Sequence, residues 1–242
     1  GLAAQVNGST SNLSLKNGRS VNIESVSGTN GVQVGGTAWL DVTGNLTQTH
    51  RLVATNAGLK TSGAITLNAA NAGTPLNQVG TLAASATTGQ IRFANATALT
   101  IGTATTTEAA ATLAGLSTGS SNQGMRIDVA SGNLTQANSI SAGTGVVSLN
   151  AATGGVVQLN VARAPEATAP IVTASALQVT SGDTSQLVND NQVGTLSAQV
   201  GGTAKDLSVV VAQHLTAGTV ICRRQRPSWM TTGTSTPHRS EE

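Results

Sequence analysis

The stretch NQVGTL at residues 77–82 returns without a change at residues 191–196, and it decides the fold. It does not return alone, because GNLTQ at 44–48 is repeated at 132–136. Two further blocks recur in the same order along the chain: ITLNAA (65–70) as VSLNAA (147–152), and LTIGT (99–103) as LTAGT (215–219). Ordered recurrence of short blocks predicts a protein built from stacked repeats.

The spacing between the two copies is unequal. The four offsets are 88, 82, 114 and 116 residues, so the second copy carries additional chain between its second and third blocks. A solenoid tolerates such insertions, because each repeat contacts only its neighbours. We therefore predict an internal duplication of 44–103 as 132–219, with an insertion near 154–187 that contains Pro165 and Pro170.

Short alternating runs lie within and between these blocks. Examples are AWLDV at 38–42, QIRF at 90–93, MRIDV at 125–129 and DLSVVV at 206–211. A period of two places aliphatic side chains on one face of a strand and polar side chains on the other. The runs are separated by Gly, Asn and Thr, which suit turns. At these turns we expect ladders of asparagine side chains, for example from Asn45, Asn68, Asn133 and Asn150.

The composition excludes several other classes of protein. Aromatic residues make up 1% of the chain and charged residues 9%, a composition that does not suit a globular core built on aromatic side chains. A hydrophobic fraction of 38% with a net charge of +2 argues against disorder. Scattered Gly and many β-branched residues disfavour helix. We predict an all-β fold, a parallel β-helix (β-solenoid) of about ten coils of roughly twenty residues over 1–220.

The carboxyl-terminal residues 221–242 differ from the rest of the chain. Residues 1–220 hold eight Lys or Arg and eight Asp or Glu, whereas the tail adds Arg223, Arg224, Arg226 and Arg239. We predict a disordered or out-of-frame tail, the alternative being a basic patch for nucleic acid. The neutral body predicts no nucleic-acid partner, and no run reaches the roughly 18 apolar residues of a membrane span.

The repeated blocks together resemble the shaft repeats of filamentous haemagglutinin-like exoproteins, which Gram-negative bacteria secrete by the two-partner route. The resemblance spans residues 32–220. It implies a right-handed β-helix in a large adhesin that is secreted or exposed at the cell surface. It also implies two partners, an outer-membrane transporter during export and an unidentified surface receptor or glycan. Because the chain begins without a recognisable secretion domain, we expect an internal fragment or a truncated reading frame.

Few residues suggest chemistry, and we predict no catalytic, cofactor-binding or metal-binding residue. His50, His214 and His238 lack partner motifs, and Cys222 lies in the tail. Two alternatives to an adhesive shaft stay open. A polysaccharide-active β-helix enzyme would use clustered carboxylates, or a carboxylate-plus-Arg groove on adjacent coils. The candidates are Asp183 and Asp190, with Asp128 and Arg126 elsewhere in the chain. An ice-binding solenoid would need aligned Thr pairs on successive coils, and 103–107 is rich in Thr.

Five Asn-x-Ser/Thr triplets offer possible glycosylation sites. They begin at Asn7, Asn12, Asn45, Asn95 and Asn133. A chain this rich in Asn, Ser and Thr produces several such triplets by chance, and glycosylation is left open as an alternative.

Overall fold

The computed structural model describes residues 1–68, 76–106, 110–159 and 169–222, and within them the regular structure is almost entirely β-strand. The first strands are β1 (Ala4–Val6), β2 (Leu13–Asn17), β3 (Val21–Ile23), β4 (Ser25–Val26), β5 (Thr29–Asn30), β6 (Val32–Val34), β7 (Thr37–Val42), β8 (Leu46–Gln48), β9 (Leu52–Thr61), β10 (Ile65–Leu67), β11 (Gln78–Ala86), β12 (Ile91–Asn95) and β13 (Leu99–Ile101). The rest are β14 (Thr103–Thr106), β15 (Ala111–Ala114), β16 (Leu116–Ser117), β17 (Met125–Val129), β18 (Leu134–Gln136), β19 (Ile140–Ser141), β20 (Val146–Ala151), β21 (Val156–Gln158), β22 (Val172–Ser181), β23 (Ser185–Val200), β24 (Leu207–Val211) and β25 (Thr216–Cys222). One 3-10 helix, Gly119–Ser121, interrupts them.

Twenty-one of these strands form one large sheet with parallel pairing throughout, so the prediction of an all-β chain is confirmed. The pairs arrange themselves in three stacks. Stack A contains β2, β7, the second halves of β9 and β11, then β16, β19 and parts of β22 and β23. Stack B contains β3, β8, β10, β12, β17, β20, parts of β22 and β23, and β25. Stack C contains β1, β6, the beginnings of β9 and β11, then β13, β18, β21, β23 and β24.

The chain visits the stacks in turn and then pairs with itself one coil further on, an arrangement consistent with a β-solenoid. The strands form because alternating residues are buried: in stack B, Ile65 lies beside Ile91, which lies beside Met125, and all three are buried. Phe93 is the one aromatic side chain in the main core cluster of the described residues. An interior bounded by three narrow sheet faces is filled by aliphatic ladders.

Exposed asparagines at the corners bind the backbone of the next coil. The Oδ1 atoms of Asn12, Asn45 and Asn133 accept the backbone N–H of Thr37 (2.7 Å), Ala64 (2.9 Å) and Gly155 (3.0 Å) respectively. These bonds replace the side-chain amide ladders that the sequence led us to expect at Asn45 and Asn133. The reason is that a corner leaves an unpaired backbone donor, which a short amide side chain can satisfy.

Other asparagines lie inside the solenoid, where alternation alone did not place them. Asn77 is fully buried, and its Oδ1 accepts the N–H of Leu52 at 2.8 Å. Its Nδ2 donates to the carbonyl of Leu67 (2.8 Å) and to that of Ala94 (3.0 Å). Asn191 holds the corresponding position in the second NQVGTL block, because its Oδ1 accepts the N–H of Val172 at 2.8 Å. The repeated block therefore places the same buried amide bridge twice.

Two antiparallel hairpins depart from the parallel pattern. β4 and β5 form a small one, and β14 and β15 form a longer one that packs over the outer face of stack A. Beneath the longer hairpin, Trp39 is buried although it lies on the outer face, beside Gly58 in register. A Cβ at Gly58 would approach Trp39 Cε3 to 2.3 Å and Ala104 Cβ to 3.3 Å. The indole ring therefore lies over Gly58 and under the hairpin.

We predict that Asn77→Ala lowers the free energy of unfolding by about 3 kcal/mol, because it leaves the buried N–H of Leu52 without its acceptor and takes the donor from two buried carbonyls. Asn45→Ala, which removes one bond from an exposed corner, serves as the matched control and costs about 1 kcal/mol. The measurement is urea unfolding followed by far-ultraviolet circular dichroism. Equal losses for the two variants would contradict the assigned role of the buried amide.

We predict that Gly58→Ala destabilises the protein by about 1–3 kcal/mol, because the new methyl group collides with the indole of Trp39. Gly18→Ala is the control, since nothing lies within 4 Å of a Cβ at that position. Fluorescence of Trp39 in a Trp229→Phe background reports whether the indole is displaced. Adding Trp39→Leu to Gly58→Ala should restore most of the lost stability, and no recovery would refute the contact.

Candidate functional site

The outer face of stack B carries a continuous line of polar side chains, which we name the outer row. Its members follow the register pairs from one strand to the next: Asn22, Thr47, Thr66, Arg92, Arg126, Ser148, Gln178 and Ser197. Neighbouring strands lie about 4.8 Å apart, so the row repeats with that spacing along the stack. Its residues alternate in sequence with the buried aliphatic ladder, which fixes their direction.

Hydrogen bonds between neighbouring side chains order parts of the outer row. Thr47 Oγ1 donates to Asn22 Oδ1 at 3.1 Å. Further along, Ser148 Oγ donates to Gln178 Oε1 at 3.2 Å. The row therefore presents hydroxyl and amide groups in fixed positions on both sides of its two arginines.

Arg126 is held in place by a carboxylate on the same strand. Its Nε and Nη2 atoms donate to the two oxygens of Asp128 at 2.8 Å and 3.0 Å, a bidentate pair. Asn150 Nδ2 donates to Asp128 Oδ1 at 3.1 Å and fixes the carboxylate in turn. The hydrogen bond with Asp128, followed by the attraction of its charge, raises the pKa of Arg126 above its ordinary value. The guanidinium is therefore cationic and oriented.

Arg92 lies directly opposite Arg126 on the adjacent strand and is exposed. Within the described part of the chain it forms no ion pair. The two arginines border a shallow depression of about 210 Å³, which is also lined by Gln90, Gly124, Met125 and Val146. Val146 is 50% exposed and contributes an aliphatic edge. The depression thus combines two cations with polar and aliphatic contacts.

The structure does not bring the three candidate carboxylates of a polysaccharide-active enzyme together. Asp128 lies in stack B beside Arg126, and its register partners on the next two strands are Asn150 and then Thr180. Asp183 follows the end of β22 and forms an ion pair with Lys205 at 2.7 Å. Asp190 is exposed on β23.

The pKa of Asp183 is also shifted in the direction opposite to the one that a general acid needs. The hydrogen bond from Lys205, and after it the one from the backbone N–H of Thr184, lowers the pKa of Asp183 below its ordinary value. A carboxyl group that donates a proton at neutral pH needs a raised pKa. Asp183 is therefore an anion in a surface ion pair.

The other residues singled out in the sequence lie apart. His50 Nδ1 is 3.4 Å from Thr49 Oγ1, and His214 is exposed. The described residues hold no group of three or more His, Cys, Asp or Glu arranged for a metal ion. Cys222 is the last described residue. The basic tail that follows Cys222, residues 223–242, lies outside the described residues and includes His238. Across the described ranges, the search for a helix able to cross a membrane finds none.

Four of the five Asn-x-Ser/Thr asparagines are exposed: Asn7, Asn12, Asn45 and Asn133. Asn95 is fully buried, and its Nδ2 donates to the carbonyls of Val79 and Thr97, both at 2.9 Å. A sugar cannot be attached to that nitrogen in the folded chain, because the atom is enclosed and engaged.

Threonine rows are short on the outer faces. The outer row of stack B has Thr47 and Thr66 in succession before Arg92 follows. Thr37 and Thr81 are separated by Asn56, and from Thr81 the row continues through Thr100 and Thr135 before Val157 ends it. The Thr-rich run at 103–106 forms β14 of the outer hairpin, and Thr107 lies outside the described residues.

Arg92 was not among the candidate residues expected from the sequence. In each of the runs QIRF and MRIDV, Arg directly follows a residue that alternation places inside. This pattern can be read from the sequence. Their pairing was not visible, since Ile91 and Met125 are 34 positions apart and the β14–β15 hairpin lies between them.

We predict that Lys205→Met raises the pKa of Asp183 toward its ordinary value, measured by NMR titration of the carboxyl carbon. Because the folded-state pKa is lowered, the ion pair stabilises the fold above the ordinary pKa of Asp, and this contribution is lost as the pH falls through the lowered value. Lys60→Met, which breaks the Lys60–Asp41 pair instead, is the control and should leave Asp183 unchanged. An unchanged Asp183 titration in Lys205→Met would contradict the pairing.

In the comparison with known proteins, no protein family, no curated protein and no solved structure matches this chain. Its function is therefore inferred from its repeats and from the side chains on its outer faces.

Proposed function

We propose that this chain is a non-catalytic segment of the shaft of a large bacterial adhesin, secreted or exposed at the cell surface. In this proposal the three stacks form a right-handed β-helix of about ten coils. The single observation that supports it is the parallel self-pairing of successive coils around an aliphatic interior, with polar rows outside. Such a rod provides length and a regular surface rather than a cleft.

The resemblance to filamentous haemagglutinin-like shaft repeats supplies the adhesive part of the proposal. The repeated blocks that carry the resemblance are structural elements of the solenoid: GNLTQ supplies a corner and a strand, and NQVGTL a buried amide bridge and a strand. The proposed partners are a receptor or glycan on host or bacterial surfaces, and an outer-membrane transporter during export.

A polysaccharide-active enzyme is the second candidate, and in the described residues the placement of Asp128, Asp183 and Asp190 gives no support to a site of clustered carboxylates. An ice-binding surface is the third, and the short Thr rows give it little support. The adhesive shaft accounts for the polar outer rows without requiring a cleft or long Thr rows.

We predict that beads coated with the chain attach to cultured epithelial cells or to bacterial biofilm several-fold more than beads coated with albumin. The control is the Asn77→Ala variant heated past its transition, because adhesion that depends on ordered outer rows is lost with the fold. Attachment equal to that of albumin would overturn the proposal. Release of sugar from an acidic polysaccharide by the purified chain would instead support the enzyme.

A further inference from the structure

We propose that the depression between Arg92 and Arg126 binds the anionic oxygens of an acidic polysaccharide, with the polymer lying along the outer row of stack B. This inference rests on the proposed adhesive function and names the chemistry of its ligand. It begins from the position of two guanidinium groups that face outward from adjacent, register-paired residues.

Without a ligand, the placement of the two arginines side by side destabilises the sheet. Like charges directly opposite each other on neighbouring strands destabilise a sheet. Asp128 compensates only Arg126, through its bidentate pair, so the charge of Arg92 is uncompensated by the described residues. An oxyanion between the two guanidinium groups removes this repulsion, and guanidinium groups match the planar geometry of carboxylates and the oxygens of sulfate.

The orientation of Arg126 prepares the site. Asp128 takes the Nε and Nη2 donors, and Asn150 holds Asp128 by a 3.1 Å bond. The remaining Nη1 group keeps its donors for a ligand. Less conformational freedom is lost on binding when one partner is already held in place.

The rest of the outer row indicates a polysaccharide rather than a peptide. Thr66 lies one strand before Arg92, and Ser148 and Gln178 follow Arg126 on the next two strands. These side chains supply hydrogen-bonding groups at a constant spacing of about 4.8 Å. A linear polymer whose hydroxyl groups recur regularly suits such a row, whereas a peptide offers side chains that vary from one position to the next. Val146 supplies an aliphatic contact at the edge of the depression, suited to the apolar face of a sugar ring.

The test measures binding of the whole chain to four immobilised polymers: polygalacturonate, dextran sulfate, neutral dextran and poly-glutamate. We expect binding to polygalacturonate or dextran sulfate, with the preferred polymer identifying the anion as carboxylate or sulfate. Arg92→Gln and Arg126→Gln should each weaken that binding at least tenfold. Arg19→Gln, which removes the same charge from an exposed residue off the outer row, should change it less than twofold.

Several outcomes would overturn the inference. They are the absence of binding to both acidic polysaccharides, an equal loss in Arg19→Gln, and binding to poly-glutamate as strong as to the polysaccharides. Thermal unfolding without polymer checks the fold of each variant, and Arg92→Gln should unfold at the same or a slightly higher temperature because a repulsion is relieved. Wild type, unlike Arg92→Gln, should gain thermal stability when soluble polygalacturonate or dextran sulfate is added.

The bead assay separates this inference from the adhesive function itself. Beads that adhere equally well with Arg92→Gln, and in the presence of soluble acidic polysaccharide, would refute a role of the Arg92 site in adhesion and leave adhesion standing. Binding of polysaccharide at Arg92 by a chain whose beads do not adhere would refute the adhesive function and leave the site standing.

Discussion

Pairing of each strand with the strand one coil further along the chain is the constraint on which the rest of the structure depends. This pairing gives the backbone N–H and C=O groups their hydrogen-bond partners along the axis. It also aligns equivalent residues of successive coils, as with Ile65, Ile91 and Met125 inside stack B. Because the interior is narrow, aliphatic side chains fill it, and Phe93 is the one aromatic residue in the main core cluster of the described residues. The same constraint lines up the polar side chains outside, so an ordered surface row results from the way the core is built.

Where the chain turns between stacks, the pairing leaves backbone groups that need other partners, and amide side chains supply them. Asn77 and Asn191 do this inside the solenoid, and Asn45 and Asn133 do it at exposed corners. The two GNLTQ blocks lie on different stacks, since β8 belongs to stack B and β18 to stack C. The repeated sequence therefore encodes a local solution, a corner bond followed by an inward leucine, which works on any side of the solenoid.

The positions of the strands could be predicted from the sequence more closely than the strands and side chains that pack against them. The run MRIDV corresponds to β17 (Met125–Val129), and AWLDV lies within β7 (Thr37–Val42), because period two is a local property. The buried asparagines could not be predicted, since alternation assigns Asn to the outside or to turns. Trp39 was placed in a strand, but its burial depends on a hairpin that arrives more than sixty residues later and on the absence of a side chain at Gly58.

The register between strands could not be predicted from the sequence, and it is also what places the residues of the candidate site side by side. Paired residues in stack B are 19 positions apart between Leu46 and Ile65, 26 between Ile65 and Ile91, and 34 between Ile91 and Met125. The last interval includes the β14–β15 hairpin, which projects from the coil and packs on the outer face of stack A without disturbing stack B. Chain length between coils is thus free to vary, while the direction and spacing of the paired side chains are not. A surface row such as the one that contains Arg92 and Arg126 is therefore fixed by the inward residues beside it, Ile91 and Met125, whose burial decides which way each arginine points.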